Sequence, residues 1–169
     1  MDSKGQFFMS DFTASIAVFG FLVAAFFMSW NTLVQTDNRF AGAEEMRKDA
    51  RRTAAFLVTT EGYPDDWEDR AVNVTMPGFA VRQNVLSVRK ITEFANMTYS
   101  RQSNVMQAAN FQIRITSGGA PMTIAGEPAL YGRAPPGTAD TVIVINRNVL
   151  VEKPSGIKPG ELKYILWRP

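Results

Sequence analysis

The chain has 169 residues, enough for a terminal hydrophobic segment and one domain with its own core, but not comfortably for two domains. Its 18 basic and 16 acidic residues leave a net charge of +2, too balanced to concentrate nucleic acid or an acidic substrate. With neither Cys nor His, it has no thiolate nucleophile, Cys/His metal site, histidine base or stabilising disulfide.

From Phe12 to Thr36 there is no Asp, Glu, Lys or Arg. About twenty apolar residues match a bilayer core of roughly 30 Å at 1.5 Å rise per residue. Phe12, Ile16, Val18, Phe19, Phe21, Leu22, Val23, Phe26, Phe27, Met28 and Trp30 put large side chains on every helical face and do not form one stripe, so the segment reads as membrane-spanning. Two rivals are a buried core helix and a cleavable secretory signal. The first needs a domain able to wrap it, and the second should have a shorter apolar region and a small-x-small site after Trp30.

A short polar head, Met1-Asp2-Ser3-Lys4-Gly5, and then Gln6-Phe7-Phe8-Met9-Ser10-Asp11 precede this run. Lys4-Gly5-Gln6 followed by a long apolar helix resembles the class III signal of archaeal type IV pilin-like proteins. The resemblance implies a prepilin peptidase that cuts between Gly5 and Gln6. It also implies assembly with other pilin subunits through the apolar helix, with Phe12, Phe19 and Phe26 among the packing residues. Many pilins carry a glutamate at the fifth mature position, where this chain has Ser10. Asp11 follows and is the acid directly ahead of the apolar segment, so it is the candidate to pair with a neighbouring N-terminal amine. The other reading of Asp11 is an interfacial carboxylate that favours the helix dipole.

Beyond Thr36, Phe40, Ala43, Met46, Ala50, Ala54 and Leu57 recur at helical spacing, with Glu44 and Asp49 in reach of basic residues on the wet face. No Pro interrupts, so one helix is expected from about Asp11 to Val58. Arg47, Lys48, Arg51 and Arg52 read as a solvated face, because acids are interleaved and no aromatic platform accompanies them. Five basic residues between Asp37 and Phe56 against Lys4 alone before the anchor would place the domain in the cytoplasm. The processing signal and two candidate glycosylation sequons, at Asn73 and Asn96, favour the exterior.

The helix should end at Thr59-Thr60-Glu61-Gly62-Tyr63-Pro64, where a Gly followed two residues later by Pro terminates it. Asp65, Asp66, Glu68 and Asp69 lack the spacing of a calcium loop and read as a solvated loop with Trp67 buried. Gly62-Tyr63-Pro64-Asp65-Asp66-Trp67 also looks like a Gly-x-Pro-x-x-Trp turn of some archaeal pilin-like proteins, in which the Trp anchors the loop. A strand is expected over Ala71–Thr75, a turn at Pro77-Gly78 before Phe79–Val81, and then a short helix capped by Ser87 carrying Val88, Ile91, Phe94 and Ala95 on one face. Phe111–Ile115 should form a hairpin through Gly118-Gly119 toward Met122–Ala125, and Gly126–Gly137 reads as a loop without phosphate-cradle spacing. Thr141–Ile145 reads as the most buried strand, continued by Asn148–Glu152 across a bulge or hairpin. Lys153–Gly160 reads as a turn and Leu162–Trp167 as a final strand.

The expected fold is α+β, with a long, partly transmembrane N-terminal helix on a mainly antiparallel, pilin-like head. Residues 1–5 would be a leader, 6–36 the membrane or filament-core segment, and 37–169 the extracellular head. The functional expectation is a filament subunit, major or minor, at the cell membrane or in an extracellular filament. The alternative is a monomeric membrane-anchored ectodomain that binds a ligand or envelope partner. No catalytic residue, metal site, cofactor or nucleic-acid partner is expected, since nothing fixes a nucleophile beside a base.

Overall fold

The computed structural model describes residues 3–69 and 74–169, and the side-chain surroundings of residues 12–34, 41–69 and 74–169. The chain is α+β, with an N-terminal apolar helix and a mostly antiparallel sheet, and it divides into two compact units, Met1–Glu44 and Glu45–Pro169.

Helix α1 spans Ser3–Thr59. It begins earlier than the expected Asp11, because no Pro or turn pair between Ser3 and Asp11 interrupts helical hydrogen bonding. In the second unit its amphipathic end buries Met46, Ala50, Ala54 and Leu57, as the spacing predicts, and Val58 besides, while Arg47, Lys48, Arg51 and Arg52 are exposed. The helix ends just before Gly62, whose φ of +95° an L side chain resists. A Cβ on Gly62 would also lie 2.6 Å from Gly78 N and 2.7 Å from Trp67 Nε1, so this position requires glycine twice over.

Gly62–Tyr63 forms β1, paired antiparallel with β2 (Met76–Pro77). The strand expected over Ala71–Thr75 is not seen in its described part: Ala71–Asn73 lie outside the described residues, and Val74 and Thr75 are not in a strand. Val74 instead turns into the core, and Thr75 donates its N–H and hydroxyl to Tyr63 O at 3.1 and 3.2 Å. Strands β3 (Ala80–Arg82) and β4 (Val85–Ser87) lead to α2 (Val88–Ala95). Ser87 caps α2 as expected, its Oγ accepting from Lys90 N at 3.3 Å; Ile91 and Phe94 are buried and Val88 half-buried, whereas Ala95, expected on the same face, is exposed at the helix end.

A further helix, α3 (Tyr99–Met106), was not foreseen. Its apolar periodicity is weak. It is held by Gln102, whose amide donates to Phe94 O and Met97 O, and by the Tyr99 ring stacked on Phe111.

The main sheet has the order β3-β4-β10-β11-β5-β6, with β9 also pairing β5; the parallel pair is β4 with β10. Strands β5 (Phe111–Ser117) and β6 (Ala120–Pro121) form a hairpin that turns at Gly118-Gly119 as expected, but the return strand is Ala120–Pro121 and not Met122–Ala125. A two-stranded ribbon of β7 (Thr123–Ile124) and β8 (Glu127–Pro128) follows. The loop expected over Gly126–Gly137 is therefore partly strand, because β9 (Leu130–Gly132) pairs with Gln112–Arg114 and buries Ala129 and Tyr131.

Strands β10 (Thr141–Lys153) and β11 (Gly156–Arg168) pair in unbroken register from Thr141↔Arg168 to Lys153↔Gly156. There is no bulge, and the expected Lys153–Gly160 turn contracts to Pro154-Ser155. The core joins α1 to the sheet, through Ala54, Leu57 and Val58 with Phe111, Ile113, Val151, Leu162 and Tyr164. Register places Trp167 opposite Val142 and Ile165 opposite Val144, on the other face. That face is thus also covered at one end, since Trp167 and Ile165 are buried.

The expectation that Thr141–Ile145 is the most buried strand is overturned. Val142 and Val144 are 43 % and 51 % exposed, and Ile143 and Ile145 are half-buried. The reason is topological: β4 meets β10 over Leu150–Glu152, beyond this stretch.

Candidate functional site

The apolar part of α1 is the feature that the fold leaves without cover. Phe12–Val34 is a 23-residue span long and apolar enough to cross a membrane, and none of it is buried. Phe12, Phe19 and Phe26, the expected packing residues, are 62 %, 69 % and 64 % exposed. Holding each such side chain in water forgoes about 1.5–3 kcal/mol available on burial, so the segment calls for lipid or protein around it. Helical spacing of four brings Phe26 and Trp30 into a stack with ring centroids 6.2 Å apart, and Phe27 meets Phe26 edge-on. Thr32 returns its hydroxyl to Met28 O at 3.0 Å, which removes the cost of a hydroxyl in an apolar medium. The small Ala14 and Ser15 beside Val18, Phe19 and Leu22 leave a shallow notch on the helix surface.

Gly5 and Gln6 lie in the first turns of α1, with Asp11 in the same helix, but their side chains lie outside the described residues. So does Asn73 altogether. Asn96 is exposed at the C-cap of α2, Met97 is buried beside it, and Thr98 precedes α3 without a side-chain capping bond. The sequon is therefore open at its Asn and Thr and anchored at its middle residue.

The acidic loop after α1 is built around two residues. Trp67 is fully buried, as expected, and donates Nε1–H to Glu61 O at 3.0 Å and Gly78 O at 3.1 Å. Lys90, which sequence reasoning passed over, is 3 % exposed and donates to Glu61 O at 2.8 Å and Asp65 O at 2.9 Å. Its ammonium also lies 3.6 Å from the Glu68 carboxylate, and Asp69 pairs with Arg89. Glu68 is thus not solvated, as the loop reading had it, but is 14 % exposed against a buried cation. The signal was present in the sequence, since Lys90 lies four residues before Phe94 on the apolar face of α2. Among the described residues, no three acidic side chains come together in a way that would hold a metal ion.

The head carries a groove of about 440 Å³ that is mainly apolar, lined by Arg52, Thr53 and Phe56 of α1, Met76 and Pro77 of β2, and Val105 and Met106 of α3. No family model, curated protein or solved structure matches this chain. The site is therefore read from its own chemistry. It offers an apolar, lipid-compatible surface on α1 and a head whose buried polar groups serve to hold it together. Burial raises the Tyr131 phenol from 10.0 to about 12. It raises Tyr164 as well, with the nearby Asp49 carboxylate adding to the effect.

Proposed function

We propose that the chain is a type IV pilin-like subunit, major or minor, of an archaeal surface filament. Its α1 is held in the cell membrane before assembly and by other copies or related pilin subunits afterwards. The observation that carries this reading is the wholly uncovered apolar span Phe12–Val34 on the same helix whose other end packs into the head's core. Lipid tails and neighbouring apolar helices are nearly equivalent surroundings for such side chains, so one segment serves both states. Lys4-Gly5-Gln6 ahead of the span supports cleavage by a prepilin peptidase at Gly5, with Gln6 as the mature end and Asp11 as the carboxylate nearest to it. An α+β head with a mostly antiparallel sheet on the helix is compatible with a pilin fold. In this reading the head is extracellular.

A second reading is a monomeric membrane-anchored ectodomain, favoured by the spread of exposed large side chains along the span without a single packing stripe. Mass spectrometry of the N-terminus after co-expression with an archaeal prepilin peptidase, with electron microscopy of sheared surface material, separates the two. Filament function predicts loss of Met1–Gly5 and visible filaments. Protein that retains Met1–Gly5 in the membrane fraction refutes it, and processed protein that never leaves the membrane supports the ectodomain.

A further inference from the structure

The backbone of α1 is helical from Ser3, so the proposed cut after Gly5 falls inside a helix and makes Gln6 its first residue. The cut also creates an α-ammonium there, and its surroundings disfavour the charge. It stands at the positive end of the helix dipole, where a cation is unfavourable. Phe7, Phe8 and Met9 follow at once, and the uncovered span opens at Phe12, about 9 Å further along the helix at 1.5 Å per residue, so lipid or apolar neighbours border it. Its own chain offers no near counter-ion. Asp2 leaves with the leader, and Asp11, the first acid that remains, is five positions on, beyond the three- or four-residue reach of a pair along one helix.

Gln6 is a residue that can discard this charge, because its side-chain amide closes a ring with its own terminal nitrogen. A setting that disfavours the ammonium favours the neutral amine, which is the nucleophilic form. Resting on the cut at Gly5, we infer that Gln6 then cyclises to pyroglutamate, so that the mature chain has an uncharged N-terminus. The α-amino nitrogen attacks the side-chain amide carbon Cδ. The new N–Cδ bond forms, the Cδ–Nε2 bond breaks, and Nε2 leaves as ammonia with a proton from the attacking amine. No oxidant, reductant or second substrate is needed. The product is a lactam that runs through the same atoms as the proline ring. The first helical position takes such a ring readily, because its nitrogen has no acceptor within the helix. An uncharged end needs no carboxylate partner, on Asp11 or elsewhere.

The mass of the mature N-terminus tests this. The full-length chain is co-expressed with an archaeal prepilin peptidase, and free amines are tagged by isotope-labelled reductive methylation at lysis, so that lactam formed later in handling is not counted. The expected N-terminal peptide begins at residue 6, is lighter than the unmodified form by one ammonia and carries no label on its α-nitrogen. Pyroglutamyl aminopeptidase should shorten it to Phe7. Gln6→Ala, which has no amide, and Gln6→Asn, whose ring would be one atom smaller and strained, should both lose the mass shift and gain the label. A Gln6 end that carries the label overturns the cyclisation and leaves the pilin reading standing. The same mass loss in Gln6→Ala overturns it too, since the ammonia would come from elsewhere. Retention of Met1–Gly5 overturns both.

Discussion

Lys90→Met tests how the acidic loop is held. The ammonium is 3 % exposed and makes bonds of 2.8 and 2.9 Å to Glu61 O and Asp65 O, with Glu68 at 3.6 Å. Glu61 O keeps a second donor, Trp67 Nε1 at 3.0 Å, so its loss is small. Asp65 O loses the Lys90 donor and is free to turn to water. Glu68 suffers most, because its Oε2 is buried and has no hydrogen bond to fall back on. Removing one partner of a buried ion pair costs about 3–5 kcal/mol, and the methionine chain retains the packing of the lysine stem, so a loss of about 3 kcal/mol is expected. The double variant Lys90→Met with Glu68→Gln removes the orphaned charge and should recover roughly 1–2 kcal/mol. Denaturant unfolding of the full-length protein in detergent, followed by tryptophan fluorescence, measures both. A single-variant loss under about 1 kcal/mol, or a double variant no more stable than the single, would refute the reasoning.

Gly62→Ala combines a φ of +95° with a Cβ 2.7 Å from Trp67 Nε1, and should destabilise the head by at least about 2 kcal/mol, read as a lowered melting temperature. Alkaline stability should depend on Tyr131, whose folded pKa of about 12 lies above the ordinary 10.0. Below pH 10 the full stabilisation is present. As pH rises toward 12 the unfolded phenol ionises first, so stability falls by about 1.4 kcal/mol per pH unit per such group. Tyr131→Phe should flatten that slope in unfolding curves, leaving the Tyr164 contribution. Phe19→Asp with Phe26→Asp should remove the protein from the membrane fraction and from filaments, since charges at these exposed positions oppose both lipid and helix packing. Retention of either would count against α1 as the assembly surface. In a glycosylating archaeal host, the exposed Asn96 should carry a glycan that Asn96→Gln removes, seen as a mass shift; an unshifted mass would place the head elsewhere or the site out of use.

Elements with a local code were legible. The Ser87 cap, the Gly118-Gly119 hairpin and the buried Trp67 each depend on a few neighbouring residues whose preferences agree. Helix α3 was not legible, because Gln102 and Tyr99 hold it by contacts to α2 and β5 that no periodicity announces. Strand β9 was hidden by the glycines and prolines around it, although Gly132, at a φ of +83°, allows its backbone to approach Phe111 closely. Lys90 was legible in position but not in purpose.

By itself the sequence determined that Phe12–Val34 is apolar enough to span a bilayer, that α1 turns amphipathic beyond it, and that no cysteine or histidine chemistry is available. Those properties follow from composition and spacing along one helix. Tertiary structure alone decided that, among the described residues, β4 flanks β10 only over Leu150–Glu152 and leaves Thr141–Asn148 beside β11 alone, and that Glu68 is buried beside Lys90. Strand composition records how apolar a segment is, whereas burial depends on which strands flank it, and that is set by pairings between residues far apart in the chain.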